Sequence, residues 1–102
     1  HGNIALNAFR SIAMDLCFMG SSGVWNHNGI CSANYQELDV KRQYIRQSAK
    51  KVVLMDSSKF AVSSFLEIAQ WNEIDILITD IHIAAEMKER LSHDLQVITA
   101  AP

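Results

Sequence analysis

Short apolar runs alternate along this chain with segments of helical spacing. Residues 4–14 carry Ala5, Ala8, Phe9 and Ile12 at intervals of three and four, with Asn3 placed as a cap, and predict a helix. Leu16-Cys17-Phe18-Met19 is an apolar run closed by Gly20 and reads as a buried strand. Residues 20–34 mix glycine, asparagine and serine with few apolar anchors, which predicts a loop. Asn34 followed three residues later by Glu37 resembles a capping box, opening a helix to about residue 49. Tyr35, Leu38, Ile45 and Ala49 of that helix are expected to face the core, with Arg42 at the edge of the stripe.

Residues 52–55 form the second predicted strand. Residues 61–73 stay open between a short helix bearing Phe65, Ile68 and Ala69 and an edge strand through Phe65-Leu66-Glu67-Ile68. Residues 76–79 are the third strand, 84–93 a helix with a charged face of Glu86, Lys88, Glu89 and Arg90, and 96–99 the last strand. Strands alternating with helices predict an α/β fold, a parallel sheet covered on both faces. No internal repeat, low-complexity tract or linker interrupts the pattern.

Composition narrows the function classes. The chain has 102 residues, 49% hydrophobic and 20% charged, enough for one modest core. Its net charge is -2 and its basic residues are scattered apart from Lys41-Arg42 and Lys50-Lys51, so this piece lacks the basic face that nucleic acid requires. No apolar run approaches the ~20 residues of a membrane span, no membrane partner is expected, and cytoplasmic residence is the default. Cys17 falls in a predicted strand and Cys31 in a loop, so no structural disulfide is expected, and His27, Cys31, His82 and His93 show no zinc spacing. Trp25 and Trp71 suit either a pocket or an interface. The chain opens His1-Gly2 and ends Ala100-Ala101-Pro102 directly after an apolar segment, which reads as a fragment of a longer protein.

The chemistry concentrates where strands end. Lys51-Val52-Val53-Leu54-Met55 runs straight into Asp56-Ser57-Ser58-Lys59-Phe60. Ligands of open α/β sheets lie beyond the carboxyl ends of the strands, where a lysine suits a phosphate or carboxylate and hydroxyls suit sugar oxygens. The same residues also make an ordinary surface turn. Parallel strands bring the Gly20–Gly23, Asp56–Lys59 and Thr79-Asp80 ends to one edge, as in any α/β protein.

Four segments, in order, resemble the effector domain of DeoR-family transcriptional regulators. Asp56-Ser57-Ser58-Lys59-Phe60 is similar to its "DSSKF" signature, and Ile74-Asp75-Ile76-Leu77-Ile78-Thr79-Asp80 to its "IDxLITD" segment. Asp15 through Gly23 resembles its "DxxFxG-x-x-G" strand and turn, and Gly29 through Asn34, Glu37, Lys41 and Arg42 its "G-x-T-T-x-N-x-x-E-x-x-x-K-R" segment. The resemblance implies a three-layer, open, mostly parallel sheet with helices on both faces, similar to ribose-5-phosphate isomerase. It implies a phosphorylated sugar as effector, DNA contact through a helix-turn-helix upstream of this chain, a homo-oligomer and no cofactor.

By the same resemblance the ligand-binding residues are Gly20, Ser21, Ser22, Gly23, Ser32, Glu37, Asp56 and Lys59. Lys59 would meet an anionic or hydroxyl group, against a plain solvated lysine as the alternative. Asp56 would accept from sugar hydroxyls or hold Lys59 as an ion pair. Glu37 aligns with the proton-transfer acid of the isomerase, yet a capping box alone accounts for it. Met19, Ser22 and Gly23 stand where the isomerase turn carries acids, which favours binding over catalysis. Cys31 and Ser32 replace the family's paired threonines, Ala61 replaces a usual glycine, and the family's phosphate loop would lie upstream of His1. A sugar-phosphate isomerase fragment and a structural or oligomerisation domain are the rival readings.

Overall fold

The structure, a computed structural model, describes residues 14–25, 28–32, 34–63 and 66–101. Four strands form a parallel sheet: β1 (Met14–Gly20), β4 (Ser48–Leu54), β6 (Ile76–Asp80) and β7 (Gln96–Ala100), in the order β1-β4-β6-β7. Three further strands, β2 (Gly23–Trp25), β3 (Gly29–Ser32) and β5 (Leu66–Gln70), form an antiparallel sheet in the order β2-β3-β5. Helix α1 (Tyr35–Gln47) returns the chain to the start of β4, and α2 (Ala85–Leu91) joins β6 to β7. This is the expected α/β class, a parallel sheet flanked by helices.

Alternation along the parallel strands divides the sheet into two unlike faces. Cys17, Met19, Val53, Met55 and Leu77 point into one core with Leu38 and Ile45 of α1, Leu66 and Ile68 of β5, and Leu91 at the end of α2. Phe18, Leu54 and Ile98 lie on the other face and are 60%, 46% and 39% exposed. Leu38 and Ile45 sit seven residues apart, two helical turns, and each is worth about 1.5–3 kcal/mol when fully buried. Arg42, at the edge of that stripe, donates from Nε and a terminal nitrogen to Glu67 O at 3.0 and 2.6 Å, docking α1 on β5.

Several expectations need correction. The loop expected over residues 20–34 contains the β2–β3 hairpin, and Cys31 is a fully buried strand residue. These strands are too short for alternation to reveal, and β3 is buried at every position. Tyr35 is 71% exposed rather than core, because it opens the helix on the solvent side. Helix α1 stops at Gln47, where the Ser48 hydroxyl donates to Tyr44 O at 2.6 Å, so Ala49 belongs to β4 and is exposed. Of the two readings for 61–73, the strand holds, as β5 at the edge of the antiparallel sheet. The helix expected over 4–14 lies outside the described residues, except that Met14 opens β1; Phe65 and His27 also lie outside them.

Cys17 and Cys31 are both buried. Among the described residues no helix is long and apolar enough to cross a membrane, and no group of three or more metal-ligating side chains forms.

Gly29 and Gly20 make opposite demands on their surroundings. A Cβ at Gly29 would lie 2.0 Å from Ala69 O, in the backbone of the paired strand, whereas one at Gly20 would meet only Leu54 O at 3.9 Å. Gly29→Ala is therefore expected to cost about 2 kcal/mol or more in urea unfolding. Gly20→Ala should stay within about 0.5 kcal/mol.

Candidate functional site

At the carboxyl edge of the parallel sheet, β4 leaves the ladder in a turn whose polar groups are nearly all committed. The Met55 N–H still donates to Ile78 O at 3.0 Å, after which the chain turns away. Asp56 caps a short 3-10 segment, Ser57–Ala61: its carboxylate accepts from the Ser58 N–H at 3.3 Å and from the Ser58 hydroxyl. Its carbonyl accepts from the Lys59 N–H at 3.0 Å. Short acids and hydroxyls favour this geometry because they bond their own backbone two residues on. Phe60 anchors the turn, packing on the core with its ring 6.2 Å from that of Trp71. With Phe60 inward, Ser58 and Lys59 are exposed, and no carboxylate among the described residues pairs with Lys59. The ion pair considered between Asp56 and Lys59 does not form.

Asp80, the last residue of β6, holds the turn from the neighbouring strand. One carboxylate oxygen accepts from the Ser57 N–H at 2.8 Å and the other from the His82 N–H at 2.9 Å. The Ser57 N–H, joined by the Ser57 hydroxyl, holds the Asp80 carboxyl well below the usual carboxylate range; burial opposes this, and the His82 N–H and the Asp56 side chain reinforce it. Asp56, Thr79, Asp80 and Ala100 line a shallow hollow of about 340 Å³ at these strand ends. The Thr79 hydroxyl, in a residue 4% exposed, is buried without a hydrogen-bond partner among the described residues.

The β2–β3 hairpin lies beside this turn. Gly20 pairs in register with Leu54, and the Val24 N–H donates to Val62 O at 2.8 Å, just past the turn. A Cβ at Gly23 would lie 2.4 Å from that same Val62 O, so glycine is what lets the two segments approach. The Ser21 hydroxyl donates to Gly23 O at 2.6 Å and accepts from the Gly23 and Cys31 N–H groups, both at 3.3 Å, which pins the hairpin.

The structure thus gathers Gly20, Ser21, Ser22, Gly23, Asp56 and Lys59 at one edge. Ser32 is elsewhere in character: fully buried, its hydroxyl bonds the Asn34 N–H and carbonyl, both at 3.1 Å, and shapes the entry to α1. Asn34 caps α1 by accepting from the Gln36 N–H at 2.7 Å, while Glu37 lies 3.5 Å from Lys41 on the helix surface with its side chain 56% exposed. A pair of that kind is worth about 0.3–0.5 kcal/mol.

A larger hollow of about 510 Å³, lined in part by Asn28, Trp71, Arg90 and Asp94, opens where β6 and β7 begin. It sits at the opposite end of the sheet from the edge where parallel strands gather ligand-binding turns, and it holds none of the candidate residues. Ser57, Thr79 and Asp80 are the site neighbours that sequence reasoning did not assign. The signal for Asp80 was present, an acid ending the "ITD" segment at a strand terminus, but nothing in the sequence shows which N–H groups it accepts from.

A carboxylate depressed on folding contributes stability that is complete above its ordinary value of 3.8 and fades as pH falls toward its folded value. Asp80→Asn is accordingly expected to be less stable than the parent at neutral pH. The gap should close steadily as acid unfolding series are carried below pH about 4. A gap that stays constant across that range would mean that the charge of Asp80 contributes nothing.

Comparison with known proteins gives the family. Residues 1–81 match the family model described as the DeoR C terminal sensor domain. The chain is 35% identical over 79 residues to the HTH-type transcriptional regulator GolR of Listeria innocua, covering 78% of this chain and 31% of that protein. It is 36% identical over 80 residues to the HTH-type transcriptional repressor GlcR of Bacillus subtilis, again 78% of this chain and 31% of that protein. The HTH-type transcriptional regulator GlpR of Haloferax volcanii is 32% identical over 77 residues, 76% of this chain and 30% of that protein. The chain therefore spans about a third of the length of these relatives. The relatives are regulators and the matched family is a sensor rather than a catalytic domain. The chain belongs to the DeoR C-terminal sensor domain family.

Proposed function

We propose that this chain is the ligand-sensing part of a transcriptional repressor, and that a phosphorylated sugar or related metabolite binds at the carboxyl edge of its parallel sheet. The observation that carries the reading is Lys59: an exposed cation without an acidic partner among the described residues, presented by a turn that Asp56, Asp80 and Phe60 hold in place. A lysine so placed meets an anion with little rotational loss in the backbone that carries it. Gly20 to Gly23 and the Asp56 carboxylate line the same edge and suit hydroxyl groups.

DNA contact belongs, in this reading, to a helix-turn-helix upstream, in keeping with the HTH-type relatives. The protein would act as a homo-oligomer in the cytoplasm. Sensing requires that the ligand favour one conformation, and its coupling to operator binding must be reciprocal.

In the full-length protein, Lys59→Ala is expected to weaken effector binding by about 1–3 kcal/mol, the range of a charge-assisted hydrogen bond, without unfolding the domain. Titration calorimetry reads this; unchanged affinity removes Lys59 from the site. Incubation with pentose and hexose phosphates, followed by NMR, should show no aldose–ketose conversion. Turnover that disappears in Glu37→Gln would replace the sensor with an isomerase.

A further inference from the structure

The segment Ile74 to Asp80 carries an aspartate just before β6 and another at its end, and both carboxylates accept from main-chain N–H groups, one in β4 and one in the turn that follows it. Asp75 accepts from the Lys51 N–H at 2.7 Å, within β4, and Asp80 from the Ser57 N–H at 2.8 Å, beyond it. The two bonds are chemically alike, but they act on different structures. Asp75 is tied further into the ladder, its N–H on Lys51 O at 3.0 Å and its carbonyl accepting from the Gln96 N–H at 2.9 Å. It fixes where β4, β6 and β7 pair. Ser57 instead begins the turn that presents Lys59, and the second oxygen of Asp80 holds His82, in the connection to α2.

We propose that Asp80 is a positioning residue of the ligand site: through Ser57 it fixes the turn that presents Lys59, and it locks that turn to the β6–α2 connection, whereas Asp75 serves strand register alone. The proposal deepens the sensor reading above and rests on it for its binding arm. A single carboxylate bridging two N–H groups from separate connections must lose a charge-assisted bond before either connection moves. Without it the turn keeps the Asp56 cap and the Phe60 anchor, so it loosens rather than unfolds. Affinity then falls because Lys59 is no longer held where the ligand needs it.

The test compares Asp80→Ala, Asp80→Asn, Asp75→Ala, Lys59→Ala and the Lys59/Asp80 double variant in the full-length protein. Calorimetry uses ribose 5-phosphate, fructose 1-phosphate, glucose 6-phosphate and inorganic phosphate as probes, and amide exchange is followed at Lys51, Ser57 and Lys59. Asp80→Ala should weaken binding of the sugar phosphate that the parent takes by about tenfold. Asp75→Ala should lower Tm yet leave affinity within about twofold, and the double variant should bind no more than about threefold weaker than Lys59→Ala, since Asp80 acts through Lys59. Exchange at Ser57 and Lys59 should accelerate in Asp80→Ala, and at Lys51 in Asp75→Ala. Asp80→Asn keeps one acceptor oxygen and should fall between, which covers a failure of Asp80→Ala to fold. Parent-like affinity in both Asp80 variants, or equal losses from Asp75→Ala and Asp80→Ala, overturns the proposal. If the parent binds none of the probes, the sugar-phosphate reading fails by itself. Exchange still decides the role of Asp80: unchanged protection at Ser57 and Lys59 overturns it.

Discussion

The pairing of β4 with β6 is the constraint on which the rest depends. Val53 and Leu77, paired in register at its centre, are both fully buried, so a slip of one residue would turn each to the opposite face. The paired stretch is short, Val52 to Leu54 against Ile76 to Ile78, and main-chain donors on either side of it need acceptors. Asp75 and Asp80 supply them. The same requirement that secures the register also decides how the chain leaves the sheet, and the polar turn follows from it.

Strand order explains the inequality of the two sheet faces. From β1 through β4 and β6 to β7 each new strand is added on the same side of the last. Right-handed crossovers repeated in one direction put every connection on one face. Leu38, Ile45, Leu66, Ile68 and Leu91 accordingly share a core with Val53 and Leu77. Phe18, Leu54 and Ile98 face away from all of them. Their apolar character is why the strands read in sequence as continuous apolar runs rather than alternating ones.

That continuity made the parallel strands legible: β6 and β7 begin where expected and end one residue later, whereas β4 begins four residues before its apolar run, in the polar stretch Ser48 to Lys51. Leu38 and Ile45 were legible as a helix face from spacing alone. The hairpin was not: β2 and β3 are three and four residues long, and their pairing rests on close backbone approach at Gly23 and Gly29. Glycines that permit an approach look the same in sequence as glycines that make a loop. The site divides likewise. Lys59 stood out because a lysine just past a buried strand must lie at the edge where that strand ends. Ser32 matched a motif yet lies fully buried in local turn bonds. The role of Asp80 depends on a residue 23 positions away, a separation no local pattern encodes.

The commitments of the carboxylates also bear on what the edge can do. Aldose–ketose isomerisation needs a base whose proton affinity lies near the working pH, and burial or a neighbouring negative charge is the usual way to raise it. Asp80 is displaced in the opposite direction by the N–H groups it accepts from. Asp56 is engaged with Ser58, and Glu37 stands on a helix surface beside Lys41. An acid held as Asp80 is, accepting from two backbone N–H groups, keeps its charge and shapes the turn but makes a poor proton shuttle. A turn whose anions are occupied internally, with its lysine left outward, is the arrangement on which the proposed recognition of an anion rests.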